Sequence, residues 1–192
     1  GETMNLIADE TIRCAAIVRG LLDFARLTPS QAAPTDINDV VERTLLLLEK
    51  QALVRNIRIE KALDHTLPPI EVDKNKIQQV FSNLAINACE AMPKGGTLVV
   101  ASLMSRDGTL IEITFTDTGV GISKENIPRL FDPFFTTKSF GTGLGLAVSY
   151  GIIRQRGGTI LVRSEVGKGT VFTVRIPLAD LGEEKRIEEA PQ

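Results

Sequence analysis

The sequence predicts an α+β fold, a two-layer α/β sandwich with helices on one face of a mixed sheet, preceded by one long helix. Two observations predict it. Segments with apolar residues three and four positions apart alternate with short segments of period-two alternation, in the order helix, strands, helix, strands, helix, strands. The 192 residues are 43% hydrophobic and 24% charged, which is enough to bury a sizeable core.

The composition argues against several classes of partner. The net charge of −2 gives no basic field, so we expect no nucleic acid and no membrane contact by this part of the chain. Cys14 and Cys89 each lie in an apolar helical stretch and are expected to be buried thiols, not a disulfide or a metal site. Buried free thiols fit a reducing cytoplasmic location, and a membrane anchor could precede Gly1 in a longer protein.

Residues 1–28 predict one helix of a dimerisation bundle. Apolar residues recur at both core positions of a heptad: Ile7, Cys14 and Leu21 at one, and Ile17 and Phe24 at the other. A single helix cannot bury so wide a stripe, so a second chain or a hairpin partner is implied, and we expect a homodimer.

The next segments lead into the sandwich. Residues 29–35 contain two prolines and small residues and predict a linker. Asp36 can cap a helix that runs to about Val54, and strands are predicted at 57–60 and 70–72. His65, the only histidine, lies in the loop between these strands, where a solvated role is expected.

The helix predicted at residues 73–92 carries a polar stripe beside its apolar one. Asn83, Asn87 and Glu90 follow this stripe, although Asn is a mediocre helix former. An amide oxygen can complete the shell of a Mg²⁺ ion held by nucleotide phosphates. The same amides also suit a solvated surface, and this helix by itself leaves both interpretations open.

The second half of the chain alternates strands with one long irregular stretch. Strands are predicted at 97–102 and 110–116, then a helix at 144–154, then strands at 159–164 and 170–176. Residues 117–142 are rich in Gly, Pro and Thr, and irregular stretches of that length commonly carry function. The charged tail at 179–192 is expected to be loose.

Asp117 is the sharpest single candidate. It continues the period-two face of Ile113 and Phe115, so its carboxylate is expected on the core side of the sheet. A buried charge needs a donor, and Gly119 and Gly121 remove side chains so that a flat ligand can approach. An adenine amino group would supply that donor. The alternative is an aspartate that caps its own turn.

A glycine run precedes the last helix. Gly141, Gly143 and Gly145 leave backbone amides and the positive end of a helix dipole free to face an anion. This signal is weak by itself, because it has neither the Rossmann spacing nor that of a P-loop. Between the two glycine clusters lie three phenylalanines and then Thr136, Thr137 and Lys138, whose polar groups can reach phosphates.

Four motifs, taken in chain order, resemble the N, first glycine, F and second glycine boxes of sensor histidine kinases. They are NLAINACEAM, DTGVGI, FDPFFTTK and GTGLGL. That family shares a Bergerat-type ATP-binding fold with gyrase, Hsp90 and the mismatch-repair ATPases. The resemblance covers residues 36–178, and GKGTVFTVRIP resembles the last strand pair of the family. Residues 6–27, ending LLDFAR, resemble the second helix of the dimerisation and phosphoacceptor hairpin.

The resemblance implies a protein that binds ATP and Mg²⁺ and signals to the receiver domain of a response regulator. Asn87 would ligate Mg²⁺, Asn83 would line the phosphate side, and Asp117 would bind the adenine amino group. Lys138 and the second glycine run would hold the phosphates. The implied catalytic residues are Asn83, Asn87 and Lys138. The implied nucleotide-binding residues are Asn87, Asp117, Gly119, Gly121, Ile122, Phe131, Thr137, Lys138, Gly141, Thr142, Gly143, Leu144, Gly145, Leu146 and Thr170.

Two departures qualify the resemblance. Family members carry an acceptor histidine on the first hairpin helix, but no histidine precedes His65, so we expect a fragment that binds ATP without phosphorylating itself. Only two residues separate Lys138 from Gly141, which makes this segment compact.

Hydrolysing relatives place a glutamate where Asn83 stands, and Glu90 is expected to pair with Lys94 on the helix surface. The alternatives are a nucleotide-binding module without kinase activity and a serine kinase or ATPase of the same superfamily.

Overall fold

The computed structural model describes residues 31–138 and 141–178, and it confirms the two-layer α+β sandwich. The helices are α1 (Ile37–Val54), α2 (Lys74–Glu90) and α3 (Gly145–Gln155), with a short 3₁₀ turn at Ile127–Arg129. The strands are β1 (Ala33–Thr35), β2 (Ile57–Leu63), β3 (Ile70–Val72), β4 (Gly96–Met104), β5 (Leu110–Asp117), β6 (Thr159–Glu165) and β7 (Gly169–Pro177). The helix predicted within residues 1–28, with Cys14, and the tail at 179–192 lie outside the described residues.

Five strands form the main sheet in the order β2-β4-β5-β7-β6. The β2–β4 pair is parallel and the other three pairs are antiparallel, so the sheet is mixed as predicted. Strand β5 therefore lies at its centre, and its last residue, Asp117, faces Leu98 of β4 and Thr170 of β7. This register brings the end of the strand next to the loops that surround the site.

The end of the predicted linker is a strand. Ala33–Thr35 forms β1, which pairs with β3 in a separate two-stranded sheet, and Thr35 is buried there. Pro34 had indicated a linker, but a proline is tolerated in an edge strand because its missing N–H removes no ladder hydrogen bond on the solvent side. Part of the segment predicted as a linker is therefore strand.

Helix α2 is the centre of the helical layer, because it contacts both α1 and α3 and packs over β5. Its N-terminus is capped by Asp73, whose carboxylate accepts from the amides of Asn75 and Lys76. The Phe81 and Phe115 rings meet at 5.6 Å between helix and sheet. The predicted apolar face, including Val80, Leu84, Ala88 and Met92, is buried. Packing of this face fixes the direction in which the polar stripe of α2 points.

Strand β5 shows the predicted alternation, since Ile111, Ile113, Phe115 and Asp117 are all buried. The carboxylate of Asp117 is therefore brought to the helix-covered face of the sheet, as predicted. Cys89 is a buried free thiol. Within the described part of the chain, no helix is both long enough and apolar enough to cross a membrane.

Candidate functional site

A cavity of about 490 Å³ opens between α2, the segment after β5 and the start of α3. This volume lies within the range of small-molecule sites, which is roughly 300–1,000 Å³. Most of the predicted residues meet in its wall: Asn83, Asn87, Asp117, Gly121, Ile122, Thr137, Lys138, Gly141, Thr142, Gly143, Gly145, Leu146 and Thr170. Four separate parts of the sequence thus converge on one space.

Three predicted residues lie behind the wall and do not line it. Gly119 is buried against α2, where a Cβ would lie 2.5 Å from the carbonyl oxygen of Ala91. Phe131 stacks on Tyr150 of α3 with ring centroids 4.8 Å apart. Leu144 is a buried residue at the N-cap position of α3. Each supports the wall through packing, which is a different role from contact with a ligand.

The cavity is also lined by Thr136, which was named with Thr137 and Lys138, and by residues to which the motifs assigned no ligand contact: Ile86, Glu90, Ala91, Val120, Ser123, Asn126, Leu130, Phe135 and Phe172. Ile86 and Ala91 flank the polar stripe of α2, so the helical period could have indicated them. Ser123, Asn126 and Leu130 lie in the irregular segment, where no periodicity gives a direction to a side chain. Their position depends on the path of this segment over the sheet.

Asp117 forms the closed end of the cavity. The residue is 3% exposed, and Oδ1 accepts from the amides of Gly119 at 2.8 Å and Thr170 at 3.2 Å. Oδ2 accepts no hydrogen bond from the residues that the structure describes. Burial raises the pKa of Asp117 above its usual 3.8, while the two amide hydrogen bonds act in the opposite direction. The carboxylate therefore offers one free acceptor to a donor inside the cavity.

Lys138 marks the open end. Its ammonium donates to Oδ1 of Asn87 at 2.7 Å and forms an ion pair with Oε2 of Glu90. The expectation that Glu90 pairs with Lys94 was wrong, because the irregular segment folds back over α2 and brings Lys138 to the polar stripe. The side chains of Lys138 and Glu90 are 42% and 37% exposed, so solvent reaches this end.

Asn83 connects α2 to α3. Its Nδ2 donates to the carbonyl oxygen of Gly145 at 3.0 Å and to Oγ of Ser149 at 3.1 Å. The α3 N-terminus has no side-chain cap, so the first amides of this helix remain available to an anion. Asn83 thus lines the cavity and also holds the helix whose N-terminus faces it.

Two segments of the wall are joined by their backbones. The amide of Phe134 donates to the carbonyl oxygen of Gly143 at 3.1 Å, and both residues have a φ of +68°. A Cβ on Gly143 would lie 2.4 Å from the backbone of Phe134. A glycine is therefore required here, because any side chain would separate the phenylalanine segment from the glycine run.

The donor set suits a metal that arrives with phosphates. No group of three or more His, Cys, Asp or Glu side chains in residues 31–138 and 141–178 could hold a metal ion by itself. Asn87 Oδ1 already accepts from one cation, the ammonium of Lys138. One neutral oxygen beside a phosphate site is a usual protein contribution to Mg²⁺ coordination, since Mg²⁺ keeps several waters and phosphate ligands.

Comparison with known proteins identifies the family. Residues 72–180 match the family described as histidine kinase-, DNA gyrase B-, and HSP90-like ATPase. This chain belongs to that family. It is also 37% identical over 185 residues to Sporulation kinase E of Bacillus subtilis (strain 168), a match that covers 96% of this chain. The chain spans 25% of the length of that kinase.

Solved structures agree with this assignment. The catalytic domain of histidine kinase ThkA is 31% identical with a TM-score of 0.70, and the match covers 77% of this chain and 96% of that domain. Full-length ShkA in complex with AMPPNP is 27% identical with a TM-score of 0.78, over 93% of this chain and 38% of that one. ThkA in complex with the response regulator protein TrrA is 27% identical with a TM-score of 0.77, and the match covers 94% of this chain and 52% of that one. The chain is therefore a histidine kinase ATPase domain, which confirms the resemblance and the fold.

Proposed function

We propose that this chain binds Mg²⁺-ATP in the cavity and transfers the γ-phosphoryl group to a histidine on a dimerisation domain, for relay to a response regulator. The observation that carries the proposal is one cavity lined both by the buried Asp117, with one free carboxylate oxygen, and by the solvent-exposed Lys138 with Asn87. An adenine nucleotide has the matching polarity, with an amino donor at one end and phosphates at the other. ShkA, whose fold this chain shares, was solved with AMPPNP.

At the closed end, Oδ2 of Asp117 accepts from the adenine amino group. Gly121, Ile122 and Thr170 line the same cavity as Asp117, and the amide of Thr170 donates to it. A group that lacks the amino donor leaves the buried carboxylate without a partner, which is costly. Asp117 therefore selects adenine over bases that present a carbonyl oxygen at that position.

At the open end, Lys138 and the α3 amides hold the phosphates, and Asn87 holds the metal. Bound Mg²⁺ would neutralise phosphate charge, which is most of what phosphoryl transfer requires. Asn83 donates its amide N–H groups to Gly145 and Ser149 and has no basic atom to take a proton from water. We therefore expect slow hydrolysis, with the phosphoryl group retained until an imidazole arrives.

The acceptor and the partners lie outside the cavity. His65, the only histidine of the sequence, is exposed in the β2–β3 loop and does not line the cavity. The acceptor histidine would therefore come from a dimerisation hairpin to which residues 1–28 would contribute one helix, and two chains would pair through such helices. A receiver domain as partner is supported by the similarity to ThkA, which was solved with a response regulator.

The test is phosphotransfer by a longer chain that includes the hairpin, given Mg²⁺ and γ-labelled ATP. Label on the protein that is acid-labile and alkali-stable supports histidine phosphorylation. Free labelled phosphate without labelled protein indicates an ATPase. Acid-stable label on a partner protein indicates a serine kinase, and binding without turnover indicates a nucleotide-sensing module. Each of these last three results would overturn the proposal.

A further inference from the structure

Two oxygens on α2 converge on a single cation. Asn87 and Glu90 are three residues apart and therefore neighbours on one helix face, and both accept from the ammonium of Lys138. The role of Asn87 in metal binding is already part of the proposed function. Glu90, one turn further on and exposed at the mouth of the cavity, has no role in it.

Glu90 affects nucleotide binding through the charge balance of the cavity. Its charged lining residues, among those that the structure describes, are Asp117, Glu90 and Lys138. Asp117 is buried at the far end, so a polyphosphate entering the open end meets one ammonium and one carboxylate. Without a metal, Lys138 must share its charge between Glu90 and the phosphates or leave Glu90, and in either case the carboxylate faces phosphate oxygens of like charge.

We propose that Glu90 couples nucleotide binding to the divalent cation. Its carboxylate retains Lys138 in the empty site and opposes a nucleotide that arrives without metal. When the nucleotide brings Mg²⁺ to Asn87, the carboxylate one turn away faces a cation in place of bare phosphates, and the opposition disappears. This inference rests on the proposed nucleotide site and adds a residue that determines which form of the nucleotide, metal-free or metal-bound, the site accepts.

The test compares AMPPNP affinity with saturating Mg²⁺ and with a chelator, measured by calorimetry on three proteins. These are the unmodified chain, Glu90→Gln, and Glu49→Gln as a matched control, because Glu49 is exposed on α1 and does not line the cavity. Glu90→Gln is expected to bind metal-free AMPPNP about fivefold more tightly, the size of one exposed charge contact. Its affinity in Mg²⁺ should stay equal or fall slightly. The ratio of the two affinities therefore decreases at least fivefold, whereas Glu49→Gln keeps the unmodified ratio.

A second variant isolates the like-charge opposition. In the Lys138→Gln background, Glu90→Gln should still tighten metal-free binding, because the carboxylate then faces the phosphate oxygens with no ammonium beside it. No gain in that background would show that Glu90 does not oppose the metal-free nucleotide. If the unmodified chain binds Mg²⁺-AMPPNP but Glu90→Gln leaves the ratio unchanged, or tightens both forms equally, the coupling role of Glu90 is wrong and the nucleotide site stands. If the unmodified chain binds AMPPNP under neither condition, the proposed function itself fails.

Discussion

The two ends of the cavity are held in place by different kinds of interaction. At the Asp117 end, the register of β5 with β7 and the close approach of Gly119 to α2 position a buried carboxylate through backbone contacts. At the Lys138 end, exposed side chains hold one another by an ion pair and an amide contact. The first end cannot change partners without moving the sheet. The second can exchange partners by rotating side chains.

Because of this difference, the two ends are expected to have different roles in ligand binding. A rigid, buried acceptor gives selectivity, because an unmatched group leaves a buried carboxylate unpaired. Exposed ion pairs contribute little stability, about 0–1 kcal/mol, and can be exchanged for phosphates or a metal at low cost. The cost of the rigid end appears in the raised pKa of Asp117, since burial disfavours its charged form.

The largest expected effect is at the rigid end. Asp117→Asn should weaken AMPPNP binding about 100-fold, because an amide replaces the charged acceptor that faces the adenine amino group. The fold should survive, since Oδ1 of asparagine still accepts from Gly119 and Thr170. Calorimetry measures the binding, and thermal unfolding checks the fold. Unchanged affinity would remove Asp117 from the adenine site.

The stability of the same variant should depend on pH in a definite direction. Because burial raises the folded-state pKa of Asp117, its ionisation costs stability at high pH and costs nothing below the unfolded value of about 3.8. Asp117→Asn should therefore be at least as stable as the unmodified chain at neutral pH, with an advantage that fades on acidification. A variant less stable at neutral pH would show that the charged carboxylate stabilises the fold.

At the open end, Asn87→Ala should reduce the gain in AMPPNP affinity that Mg²⁺ provides by about tenfold, because an oxygen beside the metal is lost. Metal-free binding should change little. Asn75→Ala is the matched control, since Asn75 is exposed on the first turn of the same helix. An unaltered Mg²⁺ dependence in calorimetry would show that Asn87 does not hold the metal.

Asn83 lies between the two ends, and its effect should be mainly structural. Asn83→Ala should cost about 1 kcal/mol of unfolding free energy, because Gly145 keeps a hydrogen bond from Ser149 after the amide is removed. Denaturant unfolding measures this cost against Asn75→Ala. If stability is unchanged while AMPPNP binding is lost, Asn83 acts on the nucleotide directly.

The smallest effect concerns Asp107, in the turn before β5, whose pKa is shifted in the opposite direction from that of Asp117. Hydrogen bonds from Ser105 and Thr109 lower the pKa of Asp107 from 3.8 to about 2. The stability that it contributes is complete above the unfolded value and disappears as the pH falls through about 2. Thermal unfolding should show Asp107→Asn slightly less stable near neutral pH, with the difference vanishing in that acid range. A difference that grows on acidification would contradict this sign.

The elements of the fold could be predicted because their signals are local. Asp36 and Asp73 cap the helices that they were expected to begin, and the period-two pattern of β5 correctly placed Asp117 on the buried face. The prolines before Asp36 indicated a linker, yet Ala33–Thr35 pairs with β3. That pairing depends on a partner strand 35 to 39 residues later in the chain, because Thr35 pairs with Ile70 and Ala33 with Val72. No local pattern encodes it.

The sequence by itself determined the helices, the strands, the buried direction of Asp117 and the four motifs that identify the family, because each depends on residues close together in the chain. The tertiary structure decided which of these residues line the same cavity and which partners they bind through hydrogen bonds and ion pairs. It brought Lys138 to Asn87 and Glu90, and Asn83 to Gly145, across 48 to 62 residues of chain. Such pairings depend on the path of an irregular segment over a packed sheet, and that path follows from the packing of the whole domain.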